Sequence, residues 1–91
     1  MSRAFAKEDD SLPEPDYRLP DPDSDYYDEA AAWALIQGAD AGDTRSAEEA
    51  TGFRWGEPRL VPHVEAILQR AEAEDEYRVA QLARRYLRAA R

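Results

Sequence analysis

Four prolines, Pro13, Pro15, Pro20 and Pro22, fall close together near the start of this chain, and they decide how much of it can fold. Each fixes φ near −65°, lacks an amide hydrogen and pushes the residue before it out of helical geometry. No regular helix can run through such spacing. Residues 1–24 therefore read as an extended, acidic arm, disordered when unbound. Phe5, Leu12, Tyr17 and Leu19 are scattered along it and could seat parts of the arm on a folded body. Of 91 residues, 25–91 then remain as one folding unit. A domain of about 60 residues buries only about 60% of the surface its unfolded chain exposes, so stability should be modest unless a second copy adds to it.

Within 25–91 the apolar period is helical. Ser24 or Asp25 can cap a first helix, Asp28 and Glu29 sit where its dipole favours acids, and Ala30–Ala34 continue it to Gly38, read as its end. Ser46 followed by Glu49 has the spacing of a capping box, starting a short second helix near Ala47–Thr51 that Gly52 stops. Pro58 and Pro62 exclude a continuous helix through Arg59–Val61, and Phe53–Glu57, aromatic and glycine-containing, reads as a structured connector. Pro62 suits the first turn of a third helix running to about Ala73, with Leu60, Val64, Ile67, Leu68 and Ala71 on one stripe. Val79, Leu82, Ala83, Tyr86, Leu87 and Ala90 give a fourth helix the clearest period in the chain. The third and fourth stripes are close enough in phase for one rod. The acids of Glu72–Arg78 interrupt the apolar pattern, and a hairpin buries more core, which favours a break near Glu74 and Asp75. The expected fold is all-α, a bundle of three or four short helices. Its expected core is Tyr26, Trp33, Ile36, Phe53, Leu60, Val64, Ile67, Leu68, Leu82, Tyr86 and Leu87.

Charge is sorted along the chain. Met1–Glu29 holds ten acids against three bases, a local charge of minus seven, whereas Tyr77–Arg91 holds five arginines and no acid. Opposite fields at the two ends steer encounters and fix orientation more than they add affinity. The net charge of −8 disfavours a nucleic-acid partner. Arg78, Arg84, Arg85 and Arg88 are nevertheless candidate partner-binding residues, with Arg78, Arg85 and Arg88 on the face opposite Leu82 and Tyr86. The plainer reading of that face is a solvated helix surface, or one paired with the acidic arm.

Catalytic readings start poorly. There is no cysteine, which removes disulfides, thiolate chemistry and sulfur-ligated metals and suits a cytoplasmic protein. His63 is the only histidine, so no second imidazole completes a metal site or a catalytic triad, and a packed or surface position is the expectation for it. The acid pairs Glu48 with Glu49 and Asp40 with Asp43 match no calcium loop and read as caps and solvated faces. Gly38, Gly42, Gly52 and Gly56 occupy separate turns and form no phosphate cradle. No apolar run approaches the ~20 residues of a membrane span. Trp55, between Arg54 and Gly56, is the candidate recognition aromatic, with core packing as the competing reading. Gly52 after Ser46 suggests a helix-turn-helix, yet Gly56, Pro58 and Pro62 interrupt the place of its recognition helix.

The opening residues Met1–Asp10, MSRAFAKEDD, followed by a proline-rich acidic stretch, resemble the leader of some Gre-type transcription elongation factors. The resemblance covers about a ninth of the chain. That family's long coiled coil with an acidic tip, and its β-rich domain, have no counterpart here, and no site residue carries over. What the resemblance implies is a shared leader that faces RNA polymerase, on a different body.

The sequence thus points to a small, acidic, non-enzymatic interaction or adaptor protein without cofactors. Its candidate contacts are Phe5, Trp55, Arg78, Arg84, Arg85 and Arg88. The alternative is a transcription-associated regulator that contacts RNA polymerase or mimics nucleic acid. The implied partners are another protein, RNA polymerase among the candidates, and a second copy of this chain, rather than a membrane or a nucleic acid.

Overall fold

Helix begins soon after the prolines stop. In the computed structural model, which describes Tyr17 and residues 19–91, four α-helices follow one another: α1 Tyr27–Asp40, α2 Thr44–Thr51, α3 Val61–Ala73 and α4 Tyr77–Ala89. A single 3-10 turn, Pro58–Leu60, leads into α3. Every regular element among the described residues is helical. The all-α fold class read from the apolar period is therefore the observed one.

α3 and α4 form an antiparallel hairpin with the most extensive packing in the molecule, α1 pairs with α2, and α1 crosses both arms of the hairpin. One core joins them, built from Leu35 and Ile36 of α1, Leu60, Val64 and Ile67 around α3, and Leu82, Tyr86 and Leu87 of α4. Burying each of these large side chains contributes about 1.5–3 kcal/mol relative to leaving it in water.

The break between the third and fourth stripes falls where the acids place it. α3 ends at Ala73, Asp75 takes φ +59°, the Glu76 amide donates to the Ala71 carbonyl at 2.8 Å, and α4 starts at Tyr77. This is the hydrogen-bond pattern of a helix closed by a left-handed residue, with aspartate in the place usually held by glycine. Pro62 lies in the first turn of α3, and Gly52, at φ +80°, caps α2, both as the sequence indicates.

Five expectations need correction. Neither Ser24 nor Asp25 caps α1, whose N-cap position is Tyr26 with no side-chain capping hydrogen bond. Gly38 does not end α1, which continues to Asp40; the glycine is buried where α1 crosses α2. α2 begins at Thr44 and is capped by Asp43, whose carboxylate accepts from the Ser46 amide at 3.2 Å and the Ser46 hydroxyl at 2.8 Å; Ser46 is thus the donor rather than the cap. Tyr26 is 70% exposed, because it precedes the first helical residue and so never joins the stripe that its spacing suggests. Trp33, Phe53 and Leu68 only flank the core, half-buried, while Ala31, Ala32, Ala47 and Ala83 lie wholly inside it. Small residues fill the interior because the helices approach closely.

The predicted arm lies mostly outside the described residues, but its last part is seen. Tyr17 packs against the core near Gly38, and burial, helped by the charge of Asp43, raises its phenol pKa. Leu19 and Pro20 are half-buried too.

Candidate protein-interaction surface

α4 has two characters. Leu82, Ala83 and Tyr86 face inward, whereas Arg78, Arg84, Arg85 and Arg88 are all exposed. The structure divides these arginines between different surroundings. Arg78 reaches α1, its Nε donating to Asp40 Oδ1 at 2.9 Å, and so ties the start of α4 to the end of α1. Arg84 Nη2 donates to Glu72 Oε2 of α3 at 2.7 Å.

On the outer side of the hairpin, Arg84, Arg88 and Arg91 surround Leu68 of α3 and Leu87 of α4. Together they line a hollow of about 280 Å³. At about 100° per residue, Arg84, Arg88 and Arg91 fall within a sector of about 60° beside Leu87, which explains their convergence. Arg85 points to the Arg78 side of the helix by the same geometry, and neither lines the hollow. Arg91 and Leu68 were absent from the sequence-derived candidates. The spacing Arg84, Arg88, Arg91, at steps of four and three, is the signal that could have found the first; Leu68 is visible only once the hairpin closes.

Trp55 is half-buried rather than presented. Its ring meets the buried Tyr86 edge-on, with centroids 4.9 Å apart and planes at 68°, and its amide donates to Glu48 Oε2 at 2.8 Å. The connector lies so close to the end of α4 that a Cβ on Gly56 would sit 3.2 Å from that of Ala89. Tyr86 in turn donates its hydroxyl to the Glu57 carbonyl at 2.9 Å, and burial first, the Glu57 charge second, push its pKa up to about 12. Trp55 therefore holds the connector on α4, and Glu48, half of one acid pair, is the acceptor that fixes its backbone. Phe5 lies outside the described residues.

A second hollow, about 360 Å³, opens between α1 and α3, lined by Glu29, Trp33, His63, Ala66, Ile67 and Arg70. His63 sits half-buried on its wall. One imidazole, one carboxylate and one guanidinium that also pairs with Glu74 at 3.3 Å meet there. Among the described residues no group of three histidines, cysteines or acids is arranged to hold a metal ion. No helix among them is long and apolar enough to cross a membrane. Two large aromatics, Tyr26 and Tyr77, stand largely in solvent, near the starts of α1 and α4 respectively.

No family model, no curated protein and no solved structure matches this chain.

Proposed function

We propose that this protein is a non-enzymatic interaction module that binds an acidic, leucine-bearing segment of another protein in the hollow between α3 and α4. The observation that carries the reading is the convergence of three guanidinium groups around two leucines, Leu68 and Leu87, on a molecule whose net charge is −8. Guanidinium forks match carboxylates in a bidentate geometry, and an apolar floor between them accepts a single aliphatic side chain. The charges would set the encounter rate and register, while the leucine contact would slow dissociation. A lone histidine, no cysteine and charged groups engaged in caps and ion pairs support a non-catalytic role. We assign the interaction to the cytoplasm, where a cysteine-free chain needs no oxidising environment.

The test uses a fluorescein-labelled peptide of alternating aspartate, glutamate and leucine, read by anisotropy. Binding should weaken about two- to fivefold for each of Arg84→Gln, Arg88→Gln and Arg91→Gln, as befits largely exposed ion pairs, and should fall with added salt. Arg85→Gln should change it far less. Equal affinity for a peptide carrying asparagine and glutamine in place of the acids would overturn the reading.

A further inference from the structure

The chain carries its own segment of the chemistry that the hollow fits. Glu8, Asp9, Asp10, Glu14 and Asp16 surround a single aliphatic residue, Leu12. Arg84, Arg88 and Arg91 surround Leu68 and Leu87. Resting on the reading above, we infer that residues 8–16 occupy this hollow within the same molecule and compete there with an external acidic segment.

The attachment point keeps the segment near the body. Tyr17 is packed into the body, its hydroxyl 3.3 Å from where a Cβ on Gly38 would lie, near the end of α1. That end is joined to the start of α4 by the pair between Asp40 and Arg78. Along α4, at about 1.5 Å per residue, Arg84 is about 9 Å and Arg91 about 20 Å from Arg78. An extended chain covers at most about 3.3–3.6 Å per residue, so Leu12 can reach about 17 Å from Tyr17 and Glu8 about 30 Å. The attachment at Tyr17 thus keeps residues 8–16 within about 30 Å of the end of α1.

Tethering decides the competition. A short connection holds its end at an effective concentration in the millimolar range, so even a contact of millimolar intrinsic affinity fills the hollow about half of the time. An external partner then meets a site whose open fraction sets its apparent affinity. The acidic segment acts as a built-in competitor that only a better-matched or more concentrated acidic partner displaces.

Because the chain has no cysteine, Ser11→Cys gives one attachment site for a nitroxide next to Leu12. In the full-length protein the nitroxide should broaden the methyl signals of Leu68 and Leu87 and the Nε–H signals of Arg84, Arg88 and Arg91. The effect should vanish in the Arg84→Gln, Arg88→Gln, Arg91→Gln triple variant and weaken at about 0.5 M salt. A mixture of spin-labelled molecules and isotope-labelled molecules lacking the nitroxide should show none of it. Neutralising Glu8, Asp9, Asp10, Glu14 and Asp16 to their amides should raise affinity for the fluorescein peptide about twofold or more. Absent broadening, broadening centred elsewhere, or broadening only between molecules would each overturn the inference. Peptide binding without broadening would leave the proposed function standing alone, and broadening without peptide binding would leave only the internal contact.

Discussion

Replacing Gly38 with alanine sets two effects of known sign against each other. Inside a helix, alanine is favoured over glycine by about 1 kcal/mol, so propensity alone predicts a more stable protein. The structure predicts the opposite. A Cβ at position 38 would lie 2.6 Å from the Cβ of Ala47, 3.1 Å from the Asp43 carbonyl oxygen and 3.3 Å from the Tyr17 hydroxyl. Ordinary carbon contacts are about 3.5–4.0 Å, so α1 and α2 must separate by about 1 Å. Neither methyl can rotate away, since both spring directly from helical backbone, and Ala47 is wholly buried. Overpacking of this kind costs about 1–3 kcal/mol; taking the upper part of that range, Gly38→Ala should destabilise the protein by about 1–2 kcal/mol after the propensity gain. For a domain this small that lowers Tm by about 4–16 °C. Thermal unfolding followed by far-UV circular dichroism reads the shift. Adding Ala47→Gly should recover part of the loss despite its own propensity cost, giving a coupling of about 1 kcal/mol or more in a double-mutant cycle. A Gly38→Ala protein that melts higher than the parent would refute the close-crossing explanation of this glycine.

The buried phenol of Tyr86 makes a pH-dependent prediction. Its folded pKa, about 12, stands above the ordinary value of 10.0, so its stabilising effect is complete below about pH 10 and is lost as pH rises through 12. Tyr86→Phe should cost about 1 kcal/mol near neutrality, where the hydrogen bond to Glu57 is lost, and should show a shallower decline of urea midpoint toward high pH. Identical alkaline declines would count against the phenol as their source. Asp43→Ala removes both hydrogen bonds to Ser46 at the start of α2 and should destabilise by about 0.5–2 kcal/mol, with Asp43→Asn recovering most of the loss. Hydrogen exchange of the α2 amides, faster in the alanine variant than in the asparagine one, checks that the effect is local.

Features encoded locally were legible in the sequence, and those that depend on a partner element were not. Pro62 and Gly52 act through their own φ angles, and Asp75 sits in an acid run that no apolar stripe can cross; all three place boundaries without reference to the rest of the fold. Gly38 carries the same local signal as Gly52. What separates them is Ala47, 2.6 Å from a would-be Cβ, and nothing near Gly38 in sequence announces that neighbour. Tyr26 failed for a related reason: a side chain joins a helical stripe only if its backbone is helical, and α1 starts one residue later. The arginine-rich helix was evident from composition, but its division was not. Arg78 is drawn to Asp40 and Arg84 to Glu72, and Leu68 completes the hollow from a different helix.

That division makes stability and recognition separable within one helix. Leu82, Ala83 and Tyr86 hold α4 to the body, and each of them is buried. Arg88 and Arg91 are exposed, and the pair between Arg84 and Glu72 is half in solvent, so removing any of these charges should cost the fold about 1 kcal/mol or less. Leu87 stands between the two roles, buried against the core yet exposed enough along one edge to floor the hollow. Shortening Leu87 to alanine therefore confounds folding with binding, whereas changing the three arginines acts on the hollow while the core stays whole. Leu68, only half-buried, offers the complementary probe of the apolar floor. If the hollow recognises an acidic segment by charge and by one aliphatic side chain together, Leu68→Ala should weaken binding in a manner insensitive to salt, while the arginine variants remove the salt-dependent part. A surface that merely solvates its cations would show the second effect without the first.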